Sequence, residues 1–222
     1  MGKLYDQLKE ILPKKLWIPD ELAMLYDWIE QRGTFIDNES GFRSGFLYPV
    51  DELESVDDER EGGTIVLFTG ARNQGIEQWF GRSERDPEIV DRLCVFARTG
   101  GDGSEAALWL DDSGELKIVH MGSGSGSLLS CVLADNMVDF LRLIAIGYDE
   151  ICWDECFAWP PNDERADSYE YIHPNLAFQL WVQDTFNTTI PETALEIIKH
   201  PSSMDDESSE DAFCQWLQKI RL

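Results

Sequence analysis

Three histidines, five cysteines and two glycine-rich runs are the residues of this chain whose types could carry chemistry. The run at 122–127, GSGSGS, has the bare amides that can hold an oxyanion. A triphosphate-binding loop would end in Gly-Lys-Ser/Thr, and a dinucleotide fingerprint would place glycine where Ser127 stands and open a helix directly after a strand. The run fits neither and reads as a connection. The second run, TGGDGS at 99–104, reads as a tight turn between strands.

Cys152 and Cys156 frame the sequence CWDEC, and with His120 or His173 they offer the donor types of a zinc site. A single loose pair lacks the close spacing at both ends of a structural zinc ligand set. Both cysteines therefore read as buried thiols. His120, His173 and His200 are the ordinary bases near neutral pH, but no Gly-x-Ser-x-Gly elbow places a nucleophile beside them. His120 falls on the apolar face of a strand pattern and reads as a satisfied sheet residue, whereas His173 and His200 stand beside prolines in loops. Carboxylates are too abundant for any pair to stand out as general acid and base. Asp111, Asp112 and the cluster at 205–211 also miss the alternate spacing and glycine of a calcium loop. No catalytic residue, cofactor or metal ligand is assigned, and the expectation is a protein that is not an enzyme.

What must position these residues is a globular body. The chain has 222 residues, 43% of them hydrophobic, with eight Trp and eleven Phe, enough apolar surface to offset the entropy lost on ordering. Forty-three acidic residues against 18 Lys and Arg give a net charge of −25. Nucleic acid and anionic membranes need basic patches, so direct binding to either is not expected, while a basic partner would be attracted. The first residues have no signal-peptide pattern, and an odd number of cysteines without framework spacing points to free thiols. A cytoplasmic protein is expected.

Apolar spacing predicts a first helix through Tyr5, Leu8 and Leu12 that ends at Pro13. A second helix carries Leu22, Leu25, Trp28 and Ile29 on one stripe, with Pro19 in its first turn and Gly33 as its cap. Strands are expected at 42–48 and 65–68, and an antiparallel meander at 93–120 that turns at Asp112, Ser113 and Gly114. Leu116, Ile118 and His120 share one face of its last strand. A core helix capped by Asp135 follows, with Met137, Phe140, Leu141 and Ile144 on one face and Gly147 at its end. Three more helices are expected at 176–186, 191–199 and 212–220, the last docking through Phe213, Trp216, Leu217 and Ile220. These elements read as one body, an antiparallel meander with helices packed against its sheet. Residues 1–160 form its main domain, and 161–222 form a helical extension docked on the same body.

Two segments are candidate partner-binding surfaces. Trp153, Asp154, Glu155 and Trp159 combine aromatic anchors with charge, a composition typical of interface hot spots, although packing between the core and the C-terminal helices is the simpler account of the rings. Asp57, Asp58 and Glu59 lie in the acidic stretch DELESVDDERE at 51–61, which reads equally well as a solvated loop.

The order of these motifs resembles that of the SUKH superfamily of bacterial toxin-immunity proteins and related fungal cell-wall-synthesis regulators. Ile18, Pro19, Leu22, Leu25, Tyr26 and Gly33 resemble its helix that ends in a glycine before the first strand. GFLYPVDELES at 45–55 resembles the strand and segment that come next, 95–110 resembles its strand, glycine-rich turn and strand, and 130–147 resembles the following helix. The resemblance covers about residues 1–150. It implies an α+β fold, with a curved, mostly antiparallel sheet packed against helices, and a protein that binds and neutralises a cognate polymorphic toxin, such as a nuclease, by blocking its active surface. The alternative it leaves open is a non-catalytic cytoplasmic regulator or scaffold of the same fold.

Overall fold

A computed structural model describes residues 2–48, 64–70, 76–165 and 171–221 of the chain. Its strands follow one another in one open antiparallel sheet, in chain order: β1 (Phe35–Asp37), β2 (Arg43–Gly45), β3 (Leu67–Phe68), β4 (Leu93–Arg98), β5 (Glu105–Leu110), β6 (Leu116–Met121) and β7 (Val132–Ala134). The meander expected at 93–120 is its centre. Leu93 lies opposite Trp109 and Arg98 opposite Glu105, and on the other side of β5, Glu105 lies opposite Met121 and Leu110 opposite Leu116. The helices are α1 (Lys3–Ile11), α2 (Asp20–Arg32), α3 (Ile76–Trp79), α4 (Pro87–Val90), α5 (Met137–Ala145), α6 (Leu176–Phe186) and α7 (Ala212–Arg221), so the fold is α+β.

The burial of β4 and β5 is nearly continuous, which requires cover on both faces of the sheet. Cys94, Phe96, Ala106, Leu108 and Ile118 face one core with Leu8 of α1, Leu22, Leu25 and Ile29 of α2, Phe140 and Leu141 of α5, and Phe178 and Val182 of α6. Leu93, Val95, Ala107, Trp109, Val119 and Met121 face a second core with Ile76, Ile89 and, from α7, Phe213, Trp216 and Leu217. Trp109 is 1% exposed, with its ring 5.3 Å from Phe213 and 5.5 Å from Trp216. At about 1.5–3 kcal/mol per large side chain buried, this aromatic group is a principal reason why α7 docks.

Several boundaries differ from those the sequence predicts. Pro19 stands at the cap position before α2, one residue earlier than expected, while Gly33 ends the helix in the left-handed conformation at φ +72° and donates its N–H to the Glu30 carbonyl. Asp135 does not cap α5, because its carboxylate is held by Lys117 and Lys199. Asn136 caps the helix instead, accepting from the Asp139 N–H at 2.9 Å. The helix expected at 191–199 is a single 3₁₀ turn, Ala194–Glu196. Glu196 Oε1 accepts from the N–H groups of Glu192 and Thr193, and β-branched Ile197 and Ile198 followed by Pro201 give the turn no way to continue.

The segment after α6 closes one edge of the sheet. Ser130 donates its N–H to Ser202 O at 2.7 Å and Met204 donates to Leu128 O at 2.8 Å, so residues around 203 pair antiparallel with those around 129. Asp211 then joins this edge to α7: its Oδ2 accepts from the Val132 N–H and its Oδ1 from the Cys214 N–H, each at 2.9 Å. One carboxylate thus caps a helix and satisfies a strand amide beside it.

Candidate functional site

Three segments meet at one end of the sheet: the turn from β4 to β5, the glycine-rich loop after β6, and the chain after α5. The turn is closed by Thr99, which donates its N–H to Ser104 O at 2.9 Å, and it carries Asp102 at its tip. Asp102 Oδ2 accepts from the Ser104 hydroxyl at 2.8 Å, the Ser123 hydroxyl at 2.7 Å and the Ser127 N–H at 2.8 Å, while Oδ1 accepts from the Ser104 N–H at 2.9 Å. Burial alone would raise the pKa of this carboxyl, but these donors together pull it down to about 2. The loop at 122–127 therefore does hold an anion, and that anion is a side chain of the same protein.

Glu150 ties the third segment to the turn. It accepts from the Gly101 N–H through Oε1 and from the Trp153 indole N–H through Oε2 at 2.6 Å. Ile151 donates its N–H to Thr99 O at 3.2 Å, and the Ser127 hydroxyl donates to Cys152 O at 2.6 Å. The backbone leading into Trp153 is thereby fixed from two sides. Cys152 is buried, and burial followed by the nearby Glu150 and Asp102 charges pushes its thiol far up, away from the nucleophilic thiolate. Among the described residues no three His, Cys, Asp or Glu side chains converge as a metal site.

His120 lies just beneath, fully buried, as a satisfied sheet residue. Its Nδ1 is 2.8 Å from Leu129 O, and because a carbonyl only accepts, Nδ1 carries the proton. Nε2 is then the acceptor for the Thr99 hydroxyl at 2.8 Å. Burial pushes the imidazole pKa down to about 4, so the ring is neutral and both nitrogens are committed.

Of the side chains expected to contact a partner, Trp153, Asp154 and Glu155 come together on one exposed turn. Trp153 is 38% exposed, and the 3₁₀ turn Asp154–Cys156 begins directly after it. Among the described residues neither Asp154 nor Glu155 has an ion-pair partner. Although Asp154 as a whole is exposed, its carboxyl lies close enough to the body that burial, and next the adjacent Glu155 charge, raises its pKa. Trp159 is separate from this turn: it is half-buried, the Arg165 guanidinium covers its ring at 3.8 Å, and its carbonyl accepts from Tyr148 Oη at 2.7 Å. Asp57, Asp58 and Glu59 lie outside the described residues.

Asp102 and Glu150, which organise the site, are not among the residues the sequence singles out. Asp102 had a local signal, since an aspartate two residues before a serine in a glycine turn commonly bonds its own backbone. Glu150 had none. A groove of about 150 Å³ at the β7 edge, between Lys117, Lys199, His200 and Asp211, lies away from this cluster, and Asp135 already holds both of its lysines.

Among the described residues no helix is long and apolar enough to cross a membrane. Comparison of the chain with protein-family models, with curated proteins and with solved structures found no match.

Proposed function

We propose that the protein is a toxin-neutralising immunity protein of the cytoplasm: a non-catalytic binder that covers the basic active surface of a cognate effector, a nuclease being the class such a surface fits. The observation that carries this reading is the turn of Trp153, Asp154 and Glu155, where an exposed indole stands beside two carboxylates without ion-pair partners among the described residues. Unpaired carboxylates repel each other in the free protein, and a cationic partner would relieve that cost. The indole N–H bond to Glu150 orients the ring in advance, which reduces the entropy lost on binding. The net charge of −25 supplies long-range attraction for the same kind of partner. The SUKH-like order of motifs supports the immunity role in particular.

The test is co-expression with the toxin-like product of an adjacent gene. The two proteins are expected to co-purify, and cells carrying both are expected to survive. Trp153→Ala combined with Asp154→Asn and Glu155→Gln should weaken the complex about tenfold or more without changing the circular dichroism spectrum. Absence of both a complex and protection sinks the reading.

A further inference from the structure

A second apolar surface, which shares no residue with the Trp153 turn, lies on α2 and α6. The sequence of α6, LAFQLWVQDTF, is apolar around most of its circumference, and such a helix is normally covered all round. Here Phe178 and Val182 are buried, whereas Leu176 and Leu180, one turn apart, are 64% and 58% exposed. The surface continues onto α2, where half-buried Trp28 lies 5.6 Å from Trp181, ring to ring. One turn before Trp28 on the same face, Met24 is 43% exposed.

Each apolar row has an acid at one end. In steps of four residues, Asp20, Met24, Trp28 and Arg32 form one row on α2, and Leu176, Leu180 and Asp184 form one on α6. Among the described residues neither Asp20 nor Asp184 has an ion-pair partner. Arg32 lies over the Trp28 ring at 4.8 Å, clear of both acids as an ion pair. A second copy of the chain would bring another −25 charges to this face, so charge favours an occupant of opposite sign.

We infer that the α2 and α6 face docks a cationic amphipathic helix of another protein. The apolar stripe of that helix lies on Leu176, Leu180 and the Trp28–Trp181 pair, and its lysines or arginines lie over Asp20 and Asp184.

The experiment uses the whole chain and a labelled peptide about 18 residues long, five helical turns of leucine and lysine in amphipathic order. A peptide of the same composition in scrambled order serves as the comparison, and both are titrated by fluorescence anisotropy at physiological salt. The ordered peptide is expected to bind about tenfold more tightly than the scrambled one. Leu176→Ser with Leu180→Ser should abolish that difference, while Trp153→Ala should leave it unchanged. Both leucines are exposed, so the double variant should keep its fold, which the melting temperature checks. Three results overturn the inference: equal binding of the two peptides, a difference that survives in the double variant, or a wild-type dimer in sedimentation that the double variant dissociates. None of them bears on the toxin complex, which is read through Trp153.

Discussion

The Asp102 carboxylate lies 2.8 Å from the Ser127 amide, so the loop whose composition suggests an anion cradle is filled by an anion from a neighbouring turn. The bond spans 25 residues and, with the Ser123 and Ser104 contacts, ties the end of β6 to the turn between β4 and β5. An exposed oxyanion site needs open amides, and here the geometry makes a brace.

Asp102→Asn tests the brace. The amide keeps one acceptor oxygen, but its NH₂ must face either the Ser127 N–H or the Ser104 N–H, leaving a donor without an acceptor. Urea denaturation is expected to show a loss of about 1–3 kcal/mol. A variant as stable as the parent would mean that the loop is held by its other contacts.

Half-buried Asp102 and fully buried His120 give stability a pH dependence with the same sign. Asp102 titrates at about 2 when folded against 3.8 for the free group, so the unfolded chain binds its proton first as the medium is acidified. Its contribution is complete above about pH 4 and is lost as pH falls towards 2. His120 titrates at about 4 against 6.5, so it weakens the fold progressively between those values as the unfolded chain takes up its proton. The imidazole resonance in a proton NMR titration should therefore move near pH 4. A midpoint near 6.5 would contradict the Nδ1-protonated, doubly bonded ring.

How much of this was legible from sequence depends on whether a residue's partners are near it in the chain. α2 was legible because Pro19 and Gly33 bracket a single apolar stripe, and α7 because Phe213, Trp216 and Leu217 recur at helical spacing. β1 and β7, three residues each, are too short to show alternation, and α3 and α4 are single turns. The turn of Trp153, Asp154 and Glu155 could be picked out by composition, but Trp159 has the same composition and is covered by Arg165, a contact no spacing rule reveals. Asp102 could be seen as a turn residue and not as a brace, because Ser123 and Ser127 lie 21 and 25 residues further on.

Asp211→Ala should release both α7 and β7. The substitution removes the cap of α7 and leaves the Val132 N–H without its acceptor, and these two losses together should cost about 2–4 kcal/mol. Tryptophan fluorescence reports the change directly, since Trp109 and Trp216 pack where α7 lies on the sheet. Hydrogen exchange at the Val132 amide should rise in parallel, and an unchanged rate there would show that Asp211 is not its acceptor.

Gly122 is the residue of the glycine-rich run with the least room. A Cβ at this position would come within 2.6 Å of Ser127 O and 2.9 Å of Leu129 O, both backbone atoms that cannot rotate away. Leu129 O is also the acceptor for His120 Nδ1 and for the Gly122 N–H, so moving it disturbs the ring's tautomer and the sheet edge together. Gly122→Ala is accordingly expected to lose about 2 kcal/mol or more and to shift the His120 titration. At Gly126 an added Cβ would instead meet Asp102 Cβ at 2.7 Å and Oδ2 at 2.8 Å, and since rotation of that side chain moves only the carboxylate, the loop and the Asp102 turn must part. Gly126→Ala in the Asp102→Asn background should therefore cost less than in the parent, because the brace it displaces is already weakened. A double-mutant cycle of unfolding free energies reads this coupling, and strict additivity would show that the loop and the Asp102 turn hold independently.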